Sequence, residues 1–402
     1  MKKVVFLALN YSNATSEPGM YPDLMINFLK NGHDVWVVAP SIDDKKKASL
    51  SKEAGINVLR VPTLKLFGSG LIQKGISNIL LPYQFKNALK KSQIPLDFDL
   101  IIVPTPPITM IKVAFWLKKQ SKAKLYLILR DIFPQNGVDL KMMSQHGLPY
   151  YYFRKLEKKL YRQSDSIGCM SPANVNYVKR HNTYVDTSKL HLLPNWETLK
   201  ESHEIVEEET ELRKRYGLLN KFVAIHAGNI GLPQQVENII ELAETVQHLN
   251  DLVFLIIGWG TEKNKIIALA KEKNLENVIF MDSVNRNELG KILKISDIGL
   301  ISLNKNFTIP NFPSKVNAYY RYKLPILSAL DANTDFGVIQ ENIGCGFWSV
   351  SGDTDALKKN LLRLYENEEL RREMGVKGYN YMKNNLTPNH AYQTIVNQFK
   401  VG

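Results

Sequence analysis

Three short stretches of the chain place glycine, hydroxyl or lysine residues just beyond an apolar run, an arrangement suited to holding an anion. HAGNIGLPQQ sets Gly228, Asn229 and Gly231 after a strand-like segment, with Pro233 and Gln234 opening what reads as a helix. IIGWGTEK places Gly258 and Gly260 around Trp259 and brings Lys263 onto the next helix. NFPSKVNAYYRYKLP puts Ser314 at a helix N-cap position and Lys315 in the first turn, followed by Asn317, and stops at Pro325. Glycines let a backbone approach a ligand closely, and the free N–H groups of a helix start favour phosphate. At the third stretch a hydroxyl, amides and an ammonium can converge on one anion. Each turn alone reads equally well as a tight turn without a ligand, since none is a G-x-G-x-x-G fingerprint or a Walker loop. Three in one lobe, each after a strand, predict a nucleoside-diphosphate site.

A second kind of chemistry is suggested by LYLILRDIFPQNG, where a strand ends in Arg130 and Asp131. A charged pair at such a position costs too much to bury without purpose. Asp131 is expected to orient a ligand hydroxyl, with Arg130 holding it by a salt bridge; a purely structural pair is the alternative. The opening loop NYSNATSEPGMYPD offers Glu17 and Gly19 as ligand-facing candidates, or is a plain connection. His33 and His226 sit at strand starts or interiors and read as structural. No Ser/His/Asp triad and no metal-ligand cluster is visible, and the two cysteines, Cys169 and Cys345, lack metal or disulfide spacing.

These residues must be positioned by elements, and the elements alternate. Short apolar strands and amphipathic helices succeed one another from end to end, the sign of parallel sheets covered on both faces. Strands are expected at VVFLALN, DVWVVAP, INVLRVP, LIIVPTP, KLYLILRD, SIGCMS and LHLLPN, then at FVAIHAGNIG, LVFLIIGWG, VIFMDSV, IGLISL and LPILSAL. Between the two sets lies the acidic ESHEIVEEETELRKRYG. With 402 residues and 44 % apolar content, the chain is too long for one core. The division expected is 1–198, 199–386 and a terminal helix over 387–402 that either stays with the second lobe or returns to the first. MKKVVFLALN reads as a first buried strand rather than a signal peptide, and no apolar run reaches the roughly 18–20 residues that span a bilayer.

Charge separates the halves. Residues 1–198 hold 28 Lys and Arg against 14 Asp and Glu, whereas the remainder holds 24 against 25. The first lobe therefore meets something anionic, or carries a solvated basic surface with no partner. Two segments within it, TLKLFGSGLIQKGISNILLPYQFKNALKK and MMSQHGLPYYYFRKLEKKLYR, interleave Leu, Ile, Phe or Tyr with lysines and arginines. Such a surface suits an anionic membrane, and helices packed with a solvated basic face are its rival. The lack of a recognition helix or stacking platform disfavours nucleic acid.

Taken in order, HAGNIGLPQQVENIIELA, DLVFLIIGWGTEKNKI, VIFMDSVNRNELGKILKISDIGLISL with its Asp297, and NFPSKVNAYYRYKLPILSAL resemble the donor domain of family-4, group-1 glycosyltransferases. NGHDVWVVAP, LRDIFPQ, LEKKLYRQSDSIGCMSP and LHLLPNW resemble the acceptor domain of the same family. Within it the likeness is to transferases of capsule and O-antigen clusters, particularly those moving N-acetyl-L-fucosamine. The resemblance implies an α/β GT-B fold: two Rossmann-like, doubly wound parallel-sheet domains with a cleft between them. It implies 1–198 as the acceptor-binding domain and 199–386 as the donor-binding domain. It also implies metal-independent, retaining transfer from a UDP-sugar to an undecaprenyl-diphosphate-type lipid-linked acceptor, by a cytoplasmic protein at the inner face of the membrane. Front-face attack, with the leaving diphosphate taking the acceptor proton, needs positive charge on the diphosphate more than a protein base. This chain departs from the family where two glutamates are common, carrying Pro310 and Ala318 instead, and where Arg and Lys often follow the glycine turn, carrying Asn229 and Gln234. Lys315 is then the leading candidate for the diphosphate charge and Lys263 the second. A UDP-sugar 2-epimerase of the same fold and a non-enzymatic two-lobed sugar- or anion-binding protein are the competing readings.

Overall fold

The computed structural model describes residues 3–15, 19–42, 47–64, 71–199 and 208–399. The chain forms two compact units, Met1–Thr198 with Thr387–Gly402, and Leu199–Leu386.

The first unit is built on β1 (Lys3–Leu7), β2 (Asp34–Pro40), β3 (Ser49–Glu53), β4 (Ile56–Val61), β5 (Leu100–Thr105), β6 (Lys124–Leu129), β7 (Ser166–Cys169) and β8 (Leu190–Leu192). They lie in the order β3-β4-β2-β1-β5-β6-β7-β8, parallel except for β3, which pairs antiparallel with β4. Burial on both faces explains the nearly unbroken apolar strands. In β1, Val5 and Leu7 face one core while Val4 and Phe6 face the other. Helices Leu71–Lys91, Ile111–Ser121 and Leu148–Gln163 contribute to the first core. Met20–Lys30 and the terminal helix Pro388–Asn397 contribute to the second. Tyr392 packs edge-on to Phe28 at 4.8 Å, and its hydroxyl hydrogen-bonds His33 Nε2 at 3.0 Å. His33 therefore fastens the terminal helix.

The second unit holds β9 (Phe222–Ala227), β10 (Leu252–Ile257), β11 (Val278–Met281), β12 (Ile298–Ser302), β13 (Ile326–Leu330) and β14 (Gly346–Val350). Their order is β11-β10-β9-β12-β13-β14, all parallel. This is the doubly wound dinucleotide-fold order, whose direction of winding reverses between β9 and β12. Ligands of open α/β sheets bind beyond the carboxyl ends of the strands at that reversal. Here those ends lead into Gly228 and Leu303.

Two strands have weak sequence signals. β3, SLSKE, is a mostly exposed edge with a single apolar residue. β14, GFWSV, starts at Gly346, where an added Cβ would lie 2.0 Å from the Ile326 carbonyl oxygen.

Candidate functional site

In the second unit the two glycine turns lean on each other. Gly228 N–H donates to Ile257 O at 2.9 Å, Ile230 N–H to Trp259 O at 2.8 Å, and Glu262 N–H to Ile230 O at 3.0 Å. A Cβ on Gly258 would come within 1.8 Å of Gly228 O, and one on Gly260 within 2.0 Å of Ile230 O. Loop-against-loop contact, rather than the approach of a ligand, is what demands glycine at 258 and 260. Two amides of the first turn are thus spent on its neighbour.

Several sequence expectations change here. The α-helix after the first turn starts at Glu237, preceded by a 3-10 turn over Leu232–Gln234, so Pro233 does not open it. Asn229 Nδ2 donates to Gln234 Oε1 at 2.8 Å, which ties the two polar residues of that turn to each other. Gly231 sits against this pair, its virtual Cβ 2.9 Å from Asn229 Nδ2. Lys263, expected as a second diphosphate cation, donates instead to Gly258 O at 2.9 Å, Met281 O at 3.2 Å and Asp282 Oδ1 at 2.7 Å. Three acceptors match its three protons, so it ties the second turn to the end of β11. Trp259, 64 % exposed, stands free of the core.

The third stretch forms a turn at Ser314–Lys315 and then a helix of only six residues, Val316–Arg321. Ser314 is exposed and does not cap it; Lys315 occupies the cap position, and no side chain caps the helix. The helix is fixed by Tyr319, buried against β9 and β12. The Tyr319 hydroxyl accepts from Ala227 N–H at 3.3 Å and lies 3.1 Å from both Ile225 O and Leu300 O, to which its one proton is shared. Asn317 is buried, its Nδ2 without a hydrogen-bond partner among the described residues.

Lys315 projects behind the Gly228 turn. Its Nζ lies 3.0 Å from His226 Nε2 and 3.4 Å from Nδ1. A Cβ built on Gly228, whose φ is +131°, would stand 3.7 Å from Lys315 Cε and Nζ. The missing side chain therefore leaves an exposed turn directly in front of the ammonium. Burial pulls the Lys315 pKa from 10.5 down to about 7. His226, inside the sheet, is held well below its usual value, by burial first and by the Lys315 charge second. A neutral imidazole is left as the acceptor for the ammonium. An ammonium so poorly solvated gains strongly from an incoming anion. Sequence reasoning took His226 for a core histidine; the only signal for its role was its place two residues before the glycine turn.

In the first unit Asp131 follows β6. Burial raises its pKa to about 6, against the opposing effects of the Arg130 charge and a hydrogen bond from Asn136. Arg130 does not bridge to it: the guanidinium turns to the Met20 sulfur, across the sheet's carboxyl end. Gly19 caps helix Met20–Lys30 in an extended conformation, and its N–H donates to Asp23 Oδ1 at 3.3 Å, so that amide serves the helix start. Glu17 lies outside the described residues. Asp297 lies at the amino end of β12, where it accepts from Val223 N–H at 2.8 Å and pairs with Arg213 at 3.5 Å. It is a structural tie.

Residues 208–381 match the family model of glycosyl transferases group 1, and residues 23–196 that of glycosyltransferase family 4. The chain is a glycosyltransferase of the group 1 type. The transferase is 23 % identical over 359 residues to a chain of Escherichia coli (strain K12) that carries the name colanic acid biosynthesis glycosyl transferase WcaI, covering 84 % of this chain and 86 % of that one. It superposes on sucrose-phosphate synthase from Thermosynechococcus elongatus with a TM-score of 0.76 at 13 % identity, over 100 % of this chain and 98 % of the other. It also resembles Anabaena HepE in complex with UDP and glucose, with a TM-score of 0.69 at 13 % identity over 99 % of each chain. At these identities the structural likenesses establish the GT-B fold of the transferase.

Proposed function

We propose that the transferase moves a sugar, an N-acetylated hexosamine such as N-acetyl-L-fucosamine, from a UDP-sugar to a polyisoprenyl-diphosphate-linked sugar. The transfer retains configuration, needs no metal ion, and serves capsule or O-antigen assembly at the inner face of the cell membrane. The second unit binds the donor and the first the acceptor. The observation that carries this reading is the Lys315 ammonium, desolvated behind the bare Gly228 turn at the sheet's reversal point. A diphosphate there supplies a counter-charge that offsets the hydration the ammonium lost. As the glycosidic bond breaks, charge grows on the leaving diphosphate, and a preorganised cation stabilises that state more than the ground state. The UDP complex of the Anabaena neighbour supports a uridine nucleotide, and the colanic acid name of the Escherichia coli relative supports polysaccharide assembly. Asp131, a carboxyl with its pKa near 6, orients the acceptor hydroxyl.

The test is incubation with radiolabelled nucleotide sugars and a lipid-diphosphate-linked sugar, in the presence of EDTA. Labelled lipid from one UDP-sugar is the expected product. Epimerised nucleotide sugar without acceptor would favour the epimerase instead, and no transfer from any UDP-, GDP- or dTDP-sugar would overturn the proposal.

A further inference from the structure

The helix Leu71–Lys91 is apolar on two sides. Leu81, Phe85, Ala88 and Leu89 enter the core of the first unit. Ile76, Ile79, Leu80 and Tyr83, spaced i, i+3, i+4 and i+7, face outward with 40–52 % exposure. Folding accounts for the first stripe and leaves the second unexplained, because one buried face is all a covering helix needs. The helix Leu148–Gln163 repeats the pattern. Leu156, Leu160 and Tyr161 are buried, whereas Leu148, Tyr151 and Tyr152 at i, i+3 and i+4 are exposed.

Lys112, on the helix between them, joins the two outward stripes. Its ammonium lies 5.3 Å from the Tyr83 ring centre and 5.6 Å from that of Tyr152, and it donates to the Tyr152 hydroxyl at 3.0 Å. The exposed residues therefore form one face. Lys159 over Phe115 at 5.0 Å and Lys86 over Trp116 at 5.6 Å continue the interleaving of cations with rings. Together the three helices carry twelve lysines and arginines and a single acid, Glu157. That acid is buried and bonded to Arg154 and Tyr161.

We propose that this three-helix face docks the transferase on an anionic bilayer. Aliphatic and tyrosine side chains enter the headgroup boundary while the lysines meet lipid phosphates. Charge selects this occupant. A second copy, apposing the same face, would set one basic surface against another. A soluble polyanion would leave Ile76, Ile79 and Leu80 in water. Among the described residues no helix is long and apolar enough to cross a membrane, so docking is from one side. The inference rests on the lipid-linked acceptor proposed above, but sedimentation needs no nucleotide and tests it separately.

The experiment is co-sedimentation of the full chain with phosphatidylcholine vesicles, with and without phosphatidylglycerol. Wild type is expected on the anionic vesicles and not on the neutral ones. The Ile79→Ser/Leu80→Ser pair is expected to weaken binding about tenfold, and Lys155→Glu/Lys158→Glu by at least as much, since one basic residue near the surface contributes roughly fivefold. All four side chains face solvent, so both variants should keep the wild-type melting temperature and UDP affinity. Equal binding of wild type and both variants would overturn the proposal. So would a dimer that dissociates in the Ile79→Ser/Leu80→Ser variant, or retention of wild-type vesicle binding in that variant while only the charge variant loses it.

Discussion

Lys315 and His226 lie 89 positions apart in sequence and within hydrogen-bond distance in the fold, and in the donor site proposed above their pairing would set the response to pH. A half-buried lysine whose pKa is pulled down to about 7 is partly neutral at pH 7, and a diphosphate bound beside it would restore its proton. Binding of UDP should therefore take up protons above pH 7, where its terminal phosphate is already ionised, and affinity should fall as pH rises from 7 to 9. Calorimetry in buffers of different ionisation enthalpy reads the uptake directly, and His226→Gln should shift the pH at which it occurs. In the unliganded protein the sign for stability is opposite. The unfolded chain binds more protons than the folded one between pH 7 and 10.5, so this residue's contribution to stability improves as pH rises through that window. Asp131 behaves conversely. Its folded pKa is raised to about 6, so ionising it costs stability as pH rises from 3.8 to 6. Transfer should show an acid limb near pH 6 that Asp131→Asn abolishes along with most of the activity. At this scale the turn that carries Lys315 was legible, because a proline-serine-lysine run is a local signal. Lys263 misled because its captor, Asp282, lies nineteen residues further on, and no local spacing reveals that bond.

The contact between the two glycine turns makes a quantitative contrast. At Gly258 and Gly260 an added methyl meets backbone oxygens at 1.8 and 2.0 Å, which cannot move without displacing β9 or β10. Gly258→Ala or Gly260→Ala should cost about 3 kcal/mol of second-unit stability or prevent folding, measured by urea denaturation. At Gly231 the obstructing atoms belong to the Asn229 side chain, which can rotate away, so Gly231→Ala should cost about 1 kcal/mol or less. Apolar strands buried on both faces were readable because that burial leaves a continuous hydrophobic run. β3 and β14 were not, one because an edge strand shows solvent-facing polar residues, the other because GFWSV is short and follows a glycine fixed by close backbone approach. The run 311–325 is long enough for a helix, yet only six residues are helical. Pro313 precedes a turn, and Tyr319 is committed to the strand backbones.

At the scale of the whole molecule, the chain repeats one architecture twice and then sends its last helix back to the first unit. Tyr392, Ile395 and Val396 bury themselves beside Phe28 and Leu24, so Tyr392→Ala should cost roughly 3 kcal/mol and lower the melting of the first unit alone. Two transitions in calorimetry, only one of them shifted, would be the sign, since two units need not unfold together. The tandem arrangement was legible from the recurrence of strand and helix across an acidic break. Charge was legible by lobe, though not by surface: the basic excess falls in the first half of the sequence, and only the fold joined two of its segments through Lys112. The central claim is that the second unit holds a nucleoside diphosphate through Lys315, and titration of UDP into wild type and Lys315→Ala tests it most directly. The account predicts a loss of affinity of at least about tenfold, the scale of one charge-assisted hydrogen bond, with Ala318→Glu unable to restore it. Equal affinity in the two proteins would contradict it and return NFPSKVNAYYRYKLP to a purely structural role.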